Sequence, residues 1–193
     1  GGRRVGGSGP LGFVFDIERE GVIGTPGQNH EPDVGSDPYY GVGRYTVVFT
    51  KRAPGVADVY MKQVATNGGL VSTNAFPLLP NSNDEELRPS ISKSCGQPNL
   101  PQRWLITWER TWPFAPNDHD VWGRFVDWNG VFAGGPFAIQ FSTAEERRSA
   151  PCSPIDVDGA RYYPVCYEKA PVQNATSDVW CSIVRSDSTL AHN

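Results

Sequence analysis

Short apolar runs, separated by turn residues, recur along the chain. Three of these runs end on an aromatic residue, at Phe49 in RYTVVF, at Trp108 in RWLITW and at Tyr167 in RYYPVCY. Successive aromatic residues are 59 positions apart. Short apolar runs bounded by Gly, Pro and Asn predict β-strands rather than helices. The equal interval between them predicts three copies of one structural unit.

A second pattern follows each run and begins with Asp, Val and an aromatic residue. Its copies start at Asp58, Asp120 and Asp178, and each has a valine six positions later. Nine positions after the Asp comes an Asn or Asp, followed by Gly or Ser. Such a pair after a strand-like run is typical of a hairpin turn. Each unit is therefore predicted to contain a strand, a tight turn and a returning strand.

Four antiparallel strands are predicted in each unit. The first follows Pro32, Pro89 or Pro151, and in the third unit a hairpin turn is expected at Asp158-Gly159. The second is the aromatic-ended run, the third is the Asp-Val-aromatic run, and the fourth follows the Asn-Gly turn. Four strands in roughly 40 to 60 residues are the pattern of a β-propeller blade. We therefore predict an all-β chain of propeller-type blades, with a sandwich of hairpins as the alternative.

These strands divide the chain into about three blades plus partial blades at the ends. Residues 1–31 are predicted to form a partial blade and connection, 32–88 blade 1, 89–150 blade 2, and 151–193 blade 3 with an incomplete outer strand. In the partial blade, a turn is expected at Glu20-Gly21.

Three blades cannot close a ring, and an open row exposes strand edges and apolar faces. We therefore expect a second copy, further blades of a longer polypeptide, or strands from partner chains to cover them. Met61 is the only methionine, so we expect a processed product or part of a longer protein.

The combined string of proline, Trp-ended strand, Asp-Val-aromatic and Asn-Gly resembles the repeats of secreted bacterial proteins that build sialidase-like or related propellers. The resemblance is clearest from Pro89 to Gly130 and next from Pro32 to Gly68. From Pro151 to Ser188, Pro164 and Cys166 interrupt the second strand. The resemblance implies a propeller and a secreted or cell-surface location, and it assigns no catalytic residue.

Composition and charge exclude several classes of partner. The chain has 21 Gly, 17 Pro and 11% aromatic residues, which suits short strands and turns. Its net charge of −4 argues against a nucleic-acid surface, because phosphate binding needs clustered Lys and Arg. No apolar run approaches the roughly 18 residues that a membrane span requires.

Four cysteines allow three full disulfide pairings. Cys166 lies near the end of a second strand and Cys181 near the start of the next, so these two could face one another. That pairing leaves Cys95 with Cys152, while Cys152 with Cys166 is the rival and reduced cysteines are a further alternative. Disulfides would fit an exported protein.

The loop ERTWPFAPNDHD contains the candidate ligand-binding residues. Trp112 and Phe114 lie in a Pro-flanked loop, and Asp118 and His119 follow them. Exposed rings beside polar groups predict a sugar-stacking site or a protein contact, with packing on the neighbouring blade as the alternative. The segment 117–120 offers oxygen and imidazole ligands, so calcium is possible, but no other cofactor or metal is expected.

The four in-strand tryptophans are predicted to lie in the core; they are Trp104, Trp108, Trp122 and Trp180. No nucleophile or nucleotide-binding motif occurs, and the best acid–base candidates are Glu109 and Glu168, which occupy matching positions. Such repetition favours a structural role.

We predict a non-catalytic extracellular module that binds or assembles with protein or glycan partners, self-association included. The alternatives are a sialidase-like or other propeller glycoside hydrolase and a structural subunit of a cell-surface assembly.

Overall fold

A computed structural model describes most of the chain, and within the described part the fold is all-β without a helix, as the sequence predicts. It contains no helix that could cross a membrane. The residues described are 2–6, 9–15, 17, 28–36, 43–53, 56–80, 82–171 and 175–192.

The strands are, in chain order, β1 Gly2–Gly6, β2 Gly9–Phe15, β3 Gln28–Gly35, β4 Arg44–Ala53, β5 Val56–Ala65, β6 Phe76–Pro77, β7 Glu85–Ile91, β8 Arg103–Trp112, β9 Ala115–Asp127, β10 Phe137–Gln140, β11 Glu145–Pro151, β12 Ile155–Val157, β13 Ala160–Ala170, β14 Asp178–Arg185 and β15 Leu190–His192.

Three antiparallel sheets follow one another along the chain. The first has the order β3-β4-β5-β6, the second β7-β8-β9-β10, and the third β11-β13-β14-β15 with β12 beside β13. Strands β1 and β2 form a separate hairpin. Each sheet is therefore built from consecutive strands, as predicted, and the third has a fifth strand. The expected turn at Glu20-Gly21 lies outside the described residues.

The predicted hairpin turns are present in all three sheets. Gly68, Gly130 and Ser188 follow the Asn or Asp of each turn and have positive φ angles of 89°, 84° and 71°. In each sheet the valine of the motif pairs with the residue six positions later: Val64 with Leu70, Val126 with Phe132 and Val184 with Leu190. The turn at Asp158-Gly159 also forms, but it joins the additional strand β12 to β13.

The first strand of each sheet begins earlier than predicted. The expected starts at Pro32, Pro89 and Pro151 were wrong, because β3, β7 and β11 begin upstream of these prolines. Each strand instead contains a bulge, where the register shifts by one or more residues. A proline has no N–H to continue the ladder, so Pro32 and Pro89 lie at such irregularities. The residues in the left-handed conformation at the three bulges are Glu31, Arg88 and Arg148, with φ of 52°, 48° and 53°.

The sheets pack face to face in a row, and the second sheet lies between the other two. Strand β7 contacts β3, β4 and β5 of the first sheet, and β11 contacts β7, β8 and β9 of the second. Alternate residues of β8 face opposite sides, with Trp104 and Ile106 in the cluster against the first sheet and Leu105 in the cluster against the third. Within the described residues, the three sheets do not close into a ring.

The tryptophan prediction holds for part of the set. Trp104 and Trp108 are completely buried, and Trp122 is half-buried against the same cluster. Trp180 is 48% exposed, so its assignment to the core was wrong. It lies opposite Tyr167, near the start of β14, where the neighbouring sheet no longer covers the strand.

One of the predicted disulfides forms. Cys166 and Cys181 face one another on β13 and β14 and are bonded, with 4.2 Å between their Cα atoms. The predicted bond between Cys95 and Cys152 was wrong, as was the rival pairing of Cys152 with Cys166. Cys95 is buried in the cluster between the first two sheets, whereas Cys152 is exposed just after β11.

Candidate functional site

A cleft of about 430 Å³ opens at one end of the second sheet. One wall comes from the loop between β6 and β7, and the other from the end of β8 and the turn into β9. The lining residues are Leu79, Pro80, Ser82, Asn83, Asp84, Arg110, Trp112, Pro113 and Phe114. Two of the four predicted ligand-binding residues, Trp112 and Phe114, therefore lie in this cleft.

An ion pair joins the two walls of the cleft. The Nε of Arg110 donates to Oδ2 of Asp84 at 2.8 Å, and Nη2 of the same guanidinium donates to the same oxygen. Both side chains are largely buried, with 12% of Arg110 and 10% of Asp84 exposed. A largely desolvated, hydrogen-bonded pair of this kind is held in one geometry. It fixes the loop that carries Asp84 against strand β8.

The Arg110 guanidinium also contacts two indole rings. Its Cζ lies 4.3 Å from the ring centre of Trp112 and 4.2 Å from that of Trp122. Planar guanidinium groups stack on aromatic faces through cation–π attraction. The indole Nε1 of Trp112 donates to Oδ2 of Asp120 at 3.0 Å. Trp112 is therefore held from both sides and serves as a rigid wall of the cleft.

The rim of the cleft is apolar and exposed. The Phe114 side chain is 88% exposed in the turn after Trp112, and Leu79, Pro80 and Pro113 lie beside the same opening. Large aromatic side chains are usually mostly buried in a folded protein, so a ring this exposed does not belong to the core. Phe114 is thus the residue of the cleft that is most available to a partner.

The other two predicted ligand-binding residues lie elsewhere. His119 is on β9, and its Nδ1 is 2.9 Å from Oε1 of Glu145 on β11 of the third sheet. Burial and the nearby Glu145 raise the pKa of the Asp118 carboxyl. The structure therefore separates the aromatic pair from the Asp118–His119 pair, which lies at the junction between the second and third sheets.

Metal binding at the segment 117–120 has no support among the residues that the structure describes, where no group of three or more His, Cys, Asp or Glu side chains could hold an ion. The side chain of Asn117 lies outside that part. Asp120 accepts hydrogen bonds from Trp112 and from the backbone N–H of Ser142. Its contacts are those of a residue that orders the strand ends.

Buried carboxylates lie at both junctions between sheets. Burial, and to a smaller extent the nearby Asp58 of the preceding sheet, raises the pKa of Glu86 to about 8. Burial likewise raises the pKa of Asp120 to about 6, and Glu146 of the following sheet adds to this shift. The sequence contains a signal for these sites, because Glu-Glu occurs at 85–86 and again at 145–146, at the start of the first strand of the second and third sheets.

Glu109 and Glu168 differ in their surroundings. Glu109 is completely buried, binds the Arg88 guanidinium, and accepts a hydrogen bond from the backbone N–H of Arg148 at 2.7 Å. Glu168 is partly exposed and forms an ion pair with Arg148 at 2.9 Å. A carboxylate without solvent access cannot contact a substrate in this conformation. The contacts of Glu109 are therefore those of a structural residue.

Sequence reasoning missed Asp84 and Arg110, whose ion pair joins the two walls of the cleft. The signal for Arg110 was its position between Trp108 and Trp112, and Asp84 precedes the Glu-Glu pair. Comparison of the chain with models of protein families, with curated proteins and with solved structures finds no match. The functional argument therefore rests on the geometry of the chain itself.

Proposed function

We propose that the chain is a non-catalytic binding module and that the cleft beside Phe114 recognises an apolar side chain of a protein partner. The observation that carries this proposal is the 88% exposure of Phe114 at the rim of a preorganised cleft. Exposed aromatic rings beside rigid pockets are the groups that dominate the energy of protein interfaces. The rigid wall is supplied by Trp112, which Arg110 and Asp120 hold in place.

The polar groups of the cleft favour a protein over a glycan. Asp84 and Arg110 are bonded to each other, and Oγ of Ser82 accepts a hydrogen bond from the backbone N–H of Asp84. A glycan needs several convergent hydrogen-bonding groups beside its stacking ring. Five of the nine residues that line the cleft are instead apolar: Leu79, Pro80, Trp112, Pro113 and Phe114.

We further propose that the three sheets are successive blades of a β-propeller in a secreted or cell-surface protein. Three features support this: consecutive antiparallel sheets of four or five strands, face-to-face packing in a row, and the same turn and bulge in every sheet. The disulfide between Cys166 and Cys181 is compatible with an oxidising compartment.

The binding proposal is tested with Phe114→Ala. A displayed peptide library and a glycan array are probed with the purified chain, and the affinity of each selected ligand is measured for the variant. We expect selected peptides with apolar side chains whose binding weakens about 30-fold, which corresponds to ~2 kcal/mol. The melting temperature should not change, because Phe114 makes few internal contacts.

Val131→Ala is the matched control, because Val131 is 61% exposed and lies outside the cleft. It should bind the selected peptides like the unaltered chain. Glycans that bind the unaltered chain but not Phe114→Ala would show that the cleft recognises a glycan rather than a protein. Peptides that bind both variants equally would contradict the cleft as the recognition site.

A further inference from the structure

The third sheet has one covered face and one open face. Alternate residues of β13 are buried against the second sheet, among them Tyr163, Val165 and Tyr167. The residues between them are half-buried and point to the opposite face. This opposite face, which we call the open face, carries Tyr162, Pro164, Cys166, Glu168, Val179, Cys181, Ile183 and Arg185, and the added strand β12 extends it.

The open face is largely apolar. Val179 is 76% exposed, and Ile155 and Val157 of β12 are 53% and 47% exposed. Pro164 and Ile183 face one another on neighbouring strands beside the disulfide. On the second sheet, the residues that face the same way are completely buried by the third sheet, as Leu105 and Phe125 show. A contiguous exposed apolar surface of this kind marks an interaction site.

The outer face of the first sheet is partly covered. Val47, Phe49 and Val64 form a buried cluster there, and Ile17 packs against it. Val34 on this outer face is 47% exposed, so the two faces differ in degree: none of the residues of the open face belongs to a buried apolar cluster.

Charges of opposite sign lie at the two ends of the open face. Glu168 is opposite Val179 at one end, and Arg185 is opposite Tyr162 at the other. Along the strands, the Glu168–Val179 pair and the Tyr162–Arg185 pair each lie three residues from the pair formed by Val165 and Ser182. The two charged ends are therefore equally far from the centre of the open face. Glu168 forms an ion pair with Arg148. The pair between Arg185 and Asp187 is looser, at 3.7 Å, and about half of each of these two side chains is exposed.

We propose that the open face binds the same face of a second copy of this chain. A two-fold axis that lies between the two faces and runs across the strands places Glu168 of one copy opposite Arg185 of the other, twice. The apolar side chains around the disulfide then meet at the centre. The face is self-complementary in this arrangement, which places like charges apart. The proposed surface is separate from the cleft beside Phe114 and does not depend on it.

A charge exchange tests this arrangement. The mass of the chain in solution is measured by sedimentation over a range of concentrations, and a dimer of twice 21.1 kDa is expected. Glu168→Arg and Arg185→Glu should each raise the dimer dissociation constant about tenfold or more, because each places like charges in contact. The double variant, with both substitutions, should restore the dimer.

Two further variants keep the test decisive. Val179→Arg changes a side chain that is 76% exposed, so it should leave the fold intact and abolish the dimer. Phe114→Ala should leave the dimer unchanged. A chain that is monomeric at every concentration would overturn the proposal, and would leave a further sheet of a longer propeller as the occupant. A dimer that survives Val179→Arg, or that the double variant fails to restore, would also overturn it.

Discussion

At the scale of single residues, the buried carboxyl groups between sheets make the stability of the fold depend on pH. Glu86 is completely buried, and its Oε2 accepts a hydrogen bond from the backbone N–H of Val59 at 3.3 Å. Its Oε1 has no hydrogen-bond partner within the described ranges. Removing water from a carboxyl group disfavours its charged form, so the neutral acid is the form that the fold accommodates.

Glu86 therefore makes stability fall as pH rises. In the unfolded chain its pKa is near the ordinary value of 4.5, and in the folded chain it is about 8. Between these values the folded state holds the additional proton, so the free energy of unfolding decreases with rising pH. Its contribution is complete below pH 4.5 and is lost by about pH 8. Glu86→Gln, which mimics the neutral acid, should reduce the fall in melting temperature between pH 6 and 8, measured by circular dichroism.

Glu85→Gln provides the control for this measurement. Glu85 precedes Glu86 on the same strand, but its side chain is 44% exposed and its ion pair with Arg52 spans 3.7 Å. We expect its melting profile to follow that of the unaltered chain. An unaltered pH dependence in Glu86→Gln would show that this carboxyl group is not the source of the effect.

Residue-level predictions from the sequence succeeded where local pattern decides the outcome. Trp104 and Trp108 occupy alternate positions of an apolar strand, and both are buried. The contacts of Arg110 with two indole rings and with Asp84 could not be predicted, because its long side chain joins neighbouring strands and a loop. Trp180 was misplaced for a related reason: burial at a strand end depends on how far the next sheet extends.

At the scale of the elements, the bulge in the first strand of a sheet bonds that sheet to its predecessor. The backbone N–H of Arg88 donates to Oε2 of Glu31 at 2.9 Å, and that of Arg148 donates to Oε1 of Glu109 at 2.7 Å. The bulge turns these N–H groups out of the ladder of their own sheet. Each junction therefore has a carboxylate that accepts a hydrogen bond from the backbone N–H group at the bulge.

Glu109→Ala should destabilise the chain strongly. The substitution leaves the Arg148 N–H without its acceptor and removes the buried partner of the Arg88 guanidinium, which is 44% exposed and keeps its contact with Glu31 at 3.8 Å. We expect the free energy of unfolding to fall by ~3 kcal/mol, measured by urea denaturation. Glu85→Ala, which removes an exposed ion pair, should cost less than ~1 kcal/mol. Equal losses in the two variants would contradict this role of Glu109.

The sequence predicts the strands and turns better than the irregularities between them. Alternation and the Asn-Gly pairs are local signals, and the corresponding strands and turns are present. The bulges were missed because the signal of Pro32 and Pro89 was assigned to strand starts. Strand β12 was missed as a separate element because Ile155–Val157 was assigned to the first strand of its sheet.

At the scale of the whole molecule, the second sheet holds the other two together. Leu105 and Ile106 are adjacent on β8, yet they belong to clusters on opposite faces of that sheet. Disruption of either cluster therefore affects the sheet that both neighbours require. The row of sheets should behave as one cooperative unit rather than as three separate ones.

Leu105→Ala and Ile106→Ala test this cooperativity. Each should lower the free energy of unfolding by ~2 to 5 kcal/mol, because each opens a cavity at a fully buried site. Both variants should still unfold in one transition, with coincident curves for tryptophan fluorescence and far-ultraviolet circular dichroism. Separate transitions in the two signals would show that a sheet unfolds independently.

The number and order of the sheets follow from the spacing of the sequence motifs, because each sheet uses consecutive strands. How far the row of sheets continues does not follow, since that depends on contacts beyond any one unit. The open face of the third sheet illustrates this: its alternating pattern on β13 predicts a strand but not what lies against its outer side.

The carboxylate that bonds the bulge comes from different places in the first two sheets. Glu109 lies on the second strand of its sheet, whereas Thr50 occupies that place in the first sheet and donates to Glu31 on the first strand at 3.1 Å. An alignment of the repeated units that scores each position independently therefore counts a mismatch at both places, although the carboxylate still bonds the bulge. A search profile for relatives should accept an acid at either place, and would then recognise diverged units that residue identity alone rejects.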